Sequence, residues 1–162
     1  LTFYAVFVAL FALPIGSLYH YQKILYIGSS MRNNCKIGDI KVYTRKVSAA
    51  DIAAFESGMV HAVYATFAIA RDAEWAGRLF VLDIKDDDEE GIGTFVDVKH
   101  HSPAMVGDTV TFTATLTELY KNVVNCSFTA HVGERLIADG HTGQKILKRE
   151  RLEQYFSQIS GK

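Results

Sequence analysis

V-Y-A-T-F-A-I-A-R-D-A-E-W-A, residues Val63 to Ala76, is the stretch whose reading decides the fold. From Phe67 to Leu79 the chain is rich in alanine, the best helix former, and holds no proline. At about 100° per residue, Ile69, Ala70, Ala73, Ala76 and Gly77 fall together on one small-residue face, over which a sheet can approach closely. Thr66 suits the N-cap of this helix. Glu74 lies one edge over from the small face, four residues before Arg78, so a surface ion pair is its simplest role.

Downstream of the helix the period changes to two. In T-F-V-D-V-K-H, Val96, Val98 and His100 face one way, with Asp97, Lys99 and His101 facing the other. Residues 102–107 turn the chain, and Asp108 to Leu119 alternates threonine with Val110, Phe112, Ala114 and Leu116, a long antiparallel strand with one wet face. Tyr120-Lys121-Asn122 makes a hairpin turn, Val123 to Val132 the next strand, Gly133-Glu134 another turn, and Arg135 to Leu147 a last strand.

Upstream, Ile37 to Val47 mixes β-formers with charges and is expected as a partly exposed first strand. Ser48 with Asp51 has the pattern of a capping box, and a short helix is expected from Ala49 to Glu56, ended by Gly58. Asp83 to Glu90 is an acidic run without the spacing of a calcium loop, expected as a solvated loop. Gly91 and Gly93 then let the backbone turn or approach a neighbour closely.

At 162 residues the chain supports one globular domain with an extension. Its 17 basic and 18 acidic residues nearly cancel, so it has no cationic field to hold nucleic acid. Cys35 and Cys126 lack metal-ligand spacing and read as free thiols, and neither a metal nor a redox cofactor is expected. Residues 1–22 contain no Asp, Glu, Lys or Arg, and residues 1–15 are almost wholly apolar apart from a break at Pro14. This segment is short for a membrane span; it reads as a signal or anchor, and equally as a non-native leader or a helix packed on the domain. Three parts result: an apolar leader over 1–35, a folded domain over 36–148, and a charged helical tail over 149–162.

One long helix ahead of several long antiparallel strands is an α+β pattern. The apolar strand faces need a cover and only one substantial helix is present, so a curved antiparallel sheet wrapped around that helix, the hot-dog fold, is expected.

Within that fold the chain resembles the fluoroacetyl-CoA thioesterase family over roughly residues 37–148. The segment V-Y-A-T to A-E-W-A is similar to the family's helix motif, with its Thr at Thr66 and its Glu at Glu74. The family's His is similarly placed at His100, inside V-D-V-K-H-H-S-P-A-M-V-G-D-T-V, and Gly93 matches a glycine that lines the acyl site. Two positions depart: Val60 stands where the family has an aromatic gate, and Gln144 where it has an Arg. The resemblance implies thioester hydrolysis by a homodimer whose subunits pair edge to edge, on a short or small acyl-CoA, with CoA as part of the substrate. It also implies an intracellular setting for the folded domain. Glu74 would attack the carbonyl or activate water, His100 act as acid and base, and Thr66 orient or relay. Gly93, Val60, His61 and Gln144 would contact substrate. His61, whose simpler role is packing or capping, ranks behind the others, as do His141 and Cys126. Each catalytic residue also has an ordinary reading, as cap, ion-pair partner and core histidine. An enoyl-thioester hydratase and a non-catalytic module binding an acyl thioester or a protein, perched at a membrane through residues 1–15, are the rival functions.

Overall fold

The computed structural model of the chain describes residues 35–161. The leader expected over residues 1–35 and its membrane-related reading lie, Cys35 aside, outside the described residues. Strand β1 (Ile40–Lys46) leads through a 3-10 turn (Ala49–Asp51) into a hairpin of β2 (Ile52–Phe55) and β3 (Gly58–Tyr64). Helix α1 (Thr66–Ile84) follows, then β4 (Glu89–His100), β5 (Thr109–Tyr120), β6 (Val123–Val132) and β7 (Arg135–Lys148), and finally helix α2 (Arg149–Ser160). Five strands form one antiparallel sheet in the order β1-β5-β6-β7-β4, and β2-β3 is a separate two-stranded unit. Among the described residues no helix is long and apolar enough to cross a membrane.

The expected alternation holds on β5 and β6. Val110, Phe112, Ala114 and Leu116, with Val124, Cys126, Phe128 and Ala130, are buried on the face that α1 covers. From the helix, Ala68, Ile69, Ala73, Ala76, Phe80 and Val81 fill the other side of this core. Gly77 shows how close the two layers are: a Cβ there would stand 2.5 Å from Thr142 Oγ1 and 3.8 Å from Cys126 Cβ. The small-residue face therefore sets the helix–sheet distance.

The expected helix from Ala49 to Glu56 does not form. Its cap does: the Asp51 carboxylate accepts from the Ser48 N–H at 3.0 Å and from the Ser48 hydroxyl at 2.6 Å. The helix stops after three residues because Asp51 is wholly buried and bound by Arg45 at 2.9 Å and by Arg71 at 2.8 Å, and the following residues pair with β3 instead. Tertiary ion pairing and strand pairing outweigh the weak local preference of so short a segment.

This buried network continues into α1. Arg71 also pairs with Asp72 at 2.8 Å, and the Tyr64 hydroxyl donates to Asp72. Burial alone would push the Asp51 carboxyl up. The hydrogen bonds from the Ser48 hydroxyl, Arg71, the Ser48 N–H and Arg45 outweigh it and hold the group well below the usual carboxylate range. Burial, reinforced by the bond to Asp72, pushes the Tyr64 phenol far above its ordinary value, so it remains a donor. Backbone bonds from Tyr64 to Ala104 at 2.8 Å and from Ala65 to Asp51 at 2.9 Å then fix the chain just before α1.

Candidate active site

Helix α1 begins at Thr66, with Ala65 in extended conformation at the cap position and no side-chain cap bond. The expected capping role of Thr66 is therefore replaced. Its hydroxyl lies 3.0 Å from His100 Nε2, because the last residue of β4 crosses the first turn of α1. As part of that first turn, the Thr66 and Phe67 N–H groups have no intrahelical carbonyl to bond and, among the described residues, are open to an acceptor from outside.

Thr66 and His100 stand in a cleft of about 410 Å³. Ala53 and His61 from the hairpin line it, with Tyr64 and Ala65 before the helix and Ser102 and Pro103 after β4. His61 is thus brought beside the pair. Its neighbour Val60 is exposed on the hairpin and does not line the cleft. Nothing in the local pattern marks Ala53 for this place, because its segment reads as helix.

Glu74 is not spent on an ion pair. Arg78 instead bonds Glu90 at 2.6 Å and the Gly91 carbonyl at 3.1 Å, while Arg71 holds Asp51 and Asp72. Among the described residues, the Glu74 carboxylate makes no ion pair and accepts no hydrogen bond. It lies directly over Gly93, where a methyl group would overlap Oε1 and stand 3.2 Å from Cδ. Gln144 is buried; its Nε2 donates to the Glu74 carbonyl at 3.3 Å and its Oε1 accepts from Arg78 at 3.5 Å. It steadies the helix behind Glu74 and does not line the Thr66–His100 cleft. Glu74 opens on a second groove of about 610 Å³, lined by Tyr43, Arg45, Arg71, Trp75 and Arg78.

The β4–β7 register explains why Gly93 and His100, an odd number of residues apart, share a face. Gly93 pairs with Gln144 but Phe95 with Gly143, so Thr94 is an extra residue in the ladder. Beyond it Val96, Val98 and His100 face α1 with Gly93, opposite Thr142, Gly140 and Ala138. Thr66–His100 and Glu74–Gly93 therefore meet the same face of β4. They are separated by eight helical residues, about 12 Å along the axis. Within one chain the structure joins Thr66 to His100 and Glu74 to Gly93, and does not bring Glu74 to the other two.

The other second-rank residues, His141 and Cys126, lie elsewhere. His141 is on the outer face of the sheet, with Nδ1 3.3 Å from Asp97. Cys35 and Cys126 are free and buried, and burial pushes the Cys126 thiol up to about 12, which leaves no thiolate for attack. Among the described residues no three metal-binding side chains gather.

Residues 47–150 match the family model described as fluoroacetyl-CoA-specific thioesterase. The chain belongs to this family. It is accordingly a thioester hydrolase of the hot-dog fold, as one solved relative also indicates. That relative, a hypothetical protein of Thermus thermophilus described as a thioesterase superfamily member, is 30% identical with a TM-score of 0.76, covering 80% of this chain and 96% of that one. The fluoroacetyl-CoA thioesterase FlK aligns with a TM-score of 0.72 at 20% identity, covering 78% and 98% of the two chains. A hot-dog-like protein of Thermanaerovibrio acidaminovorans gives 0.72 at 20% identity over 80% and 96%. At these lower identities the two likenesses support the fold. Comparison with curated proteins gave no match.

Proposed function

We propose that this protein hydrolyses a short or small acyl-CoA to the free acid and CoA, as a homodimer whose subunits complete one another's sites. The observation that carries the reading is the Thr66 hydroxyl at 3.0 Å from His100 Nε2, at the open start of α1. A thioester carbonyl placed there can receive the free N–H groups of the first turn while His100 supplies a proton to the departing sulfur. Glu74 completes the set: it takes a proton from the water that attacks the carbonyl, or attacks it first and leaves an anhydride for water to open. The products in either case are the carboxylic acid and the thiol. The space over Gly93 is already filled by Glu74, which favours a small acyl group.

Edge pairing supplies what one chain lacks. Among the described residues, strand β4 is a twelve-residue open edge of the sheet, and such edges invite pairing. An antiparallel two-fold pairing centred on Asp97 sets Val96 opposite Val98 and Phe95 opposite Lys99. The Thr94 bulge then brings Gly93, with Glu74 above it, opposite His100 of the partner subunit. The two Asp97 side chains meet on the outer face, where His141 already accompanies each.

Free-thiol release from a panel of acyl-CoAs tests the function, with wild type against Glu74→Ala and His100→Ala. Release from a small acyl-CoA that falls in both variants supports the proposal. Parent-level release in both variants sinks it, hydration of crotonyl-CoA without thiol release points to the hydratase, and binding without turnover to the non-catalytic module. Incorporation of labelled oxygen from water into Glu74 during one turnover marks it as nucleophile, and its absence as base.

A further inference from the structure

Helix α2 carries Leu152, Tyr155, Phe156 and Ile159 at spacings of three, four and seven, the apolar stripe of an amphipathic helix. A helix lying on its own domain would bury that stripe. Here no residue of α2 is buried, and Tyr155, Phe156 and Ile159 are 58%, 50% and 67% exposed. At its first residue the helix is anchored firmly: the Arg149 N–H donates to the Asp88 carbonyl at 2.9 Å, its Nε to the Glu89 carbonyl at 3.3 Å, and its Nη2 meets the Glu90 carboxylate at 3.3 Å. These groups lie at the start of β4, so α2 springs from one end of the open edge.

A second exposed apolar patch stands at the other end of that strand. Met105 and Val106, in the turn after β4, are 49% and 50% exposed, and Met59 on the hairpin is exposed as well. A bridge from Val63 to Met105 joins turn and hairpin into one rim beside the Thr66–His100 cleft.

In the two-fold pairing about Asp97, on which this inference rests, the start of β4 runs past the partner's His100. Arg149 and the root of α2 then come level with the turn after β4 in the partner. A pairing of about seven residues is a contact only about 23 Å long and one strand thick, well short of the ~800 Å² per subunit that a stable specific dimer buries. The missing surface has to be apolar and adjacent, and the two patches meet both conditions.

We infer that α2 is a dimer arm whose Leu152, Tyr155, Phe156 and Ile159 stripe docks on Met59, Met105 and Val106 of the partner subunit and roofs that subunit's cleft. The test uses the full chain. Sedimentation gives the dimer dissociation constant of wild type and of the Tyr155→Ser, Phe156→Ser double variant. In parallel, subunits carrying Phe156→Cys and Met105→Cys are mixed and treated with a short bis-maleimide; the native Cys35 and Cys126 are buried and do not compete.

The arm predicts a dissociation constant raised about tenfold or more in the double variant and a covalent product from the mixed subunits alone. An unchanged constant with no covalent product overturns the arm while leaving edge pairing intact. A wild-type monomer overturns arm and edge pairing together. A cross-link within one chain bearing both cysteines, or vesicle binding that the double variant loses while its dimer is unchanged, assigns the stripe to another occupant and also overturns the arm. Thiol release, measured separately, reports on hydrolysis and so keeps that reading distinguishable.

Discussion

Replacing Gly93 with alanine separates geometry at the site from stability of the fold. The backbone at Gly93 does not need glycine's left-handed conformation, since its φ lies outside that region. The cost is local: the new methyl would overlap Glu74 Oε1 and crowd Cδ at 3.2 Å and Oε2 at 3.6 Å. The carboxylate is the end of a flexible side chain, without an ion pair among the described residues, and can withdraw by about 1 Å at little cost. Alanine in a strand also recovers roughly 0.5 kcal/mol of backbone entropy relative to glycine. The melting temperature should therefore stay within a few degrees of wild type. Activity should not, because a displacement of about 1 Å at a reacting group costs on the order of 100-fold in rate, or about 2.7 kcal/mol in barrier. Thiol release from the best small acyl-CoA gives kcat/KM, and circular dichroism gives the melting curve. Gly93→Ala with unaltered kcat/KM refutes the placing of Glu74 at the reaction; a loss of activity that merely follows unfolding refutes the claim that Glu74 yields cheaply.

Thr66→Val should lower kcat by about 100-fold or more while Thr66→Ser keeps most of it, since only the hydroxyl that meets His100 matters; equal activities would count against that contact. Asp51→Asn should destabilise the fold by about 2 kcal/mol in denaturant titration, because it removes the charge that binds Arg45 and Arg71 and leaves them Asp72 alone. The Asp51 carboxyl is held below its ordinary 3.8 in the fold, so its contribution is complete above about pH 4 and is lost as pH falls through the folded value. Melting temperature should accordingly drop below pH 4 in wild type, and less steeply in Asp51→Asn. Gly77→Val, which forces a branched side chain against Thr142, should cost about 2 kcal/mol by the same titration; a neutral result would mean that helix and sheet are not in close contact there.

The long elements were legible because each carries a single period. Alternation fixed β5, β6 and β7 nearly to the residue, and the small face of α1 was read correctly at Ala73, Ala76 and Gly77. The hairpin was not legible. Ala49 to Glu56 has a helix cap and helix formers, and what overrules them is Asp51 reaching Arg71, twenty residues away in sequence. Asp72 shows the same limit, since an acid on the buried face of a helix signals a partner without naming it. The signal was present in the spacing of Ile69, Asp72, Ala73 and Ala76, and its meaning lay in Tyr64 and Arg71.

Thr94 is the residue on which the site turns, and nothing in its type marks it. Without an extra residue in β4, Gly93 would face away from α1 while His100 faced toward it, and Glu74 would press on a side chain from the other parity. The bulge corrects the phase once, between the two halves of the site. It also makes the two-fold pairing proposed about Asp97 self-consistent, because residues directly opposite in an antiparallel pair must share a face. Gly93 and His100 meet that condition only with Thr94 looped out. A chain with Thr94 deleted should fold its core strands β5, β6 and β7 and yet lose either the Glu74–Gly93 or the Thr66–His100 half of the site, depending on which side of the deletion keeps its pairing to β7. Hydrogen exchange along β4, read beside thiol release, tells these outcomes apart. Retention of wild-type activity would show that the phase of the strand does not matter to the chemistry.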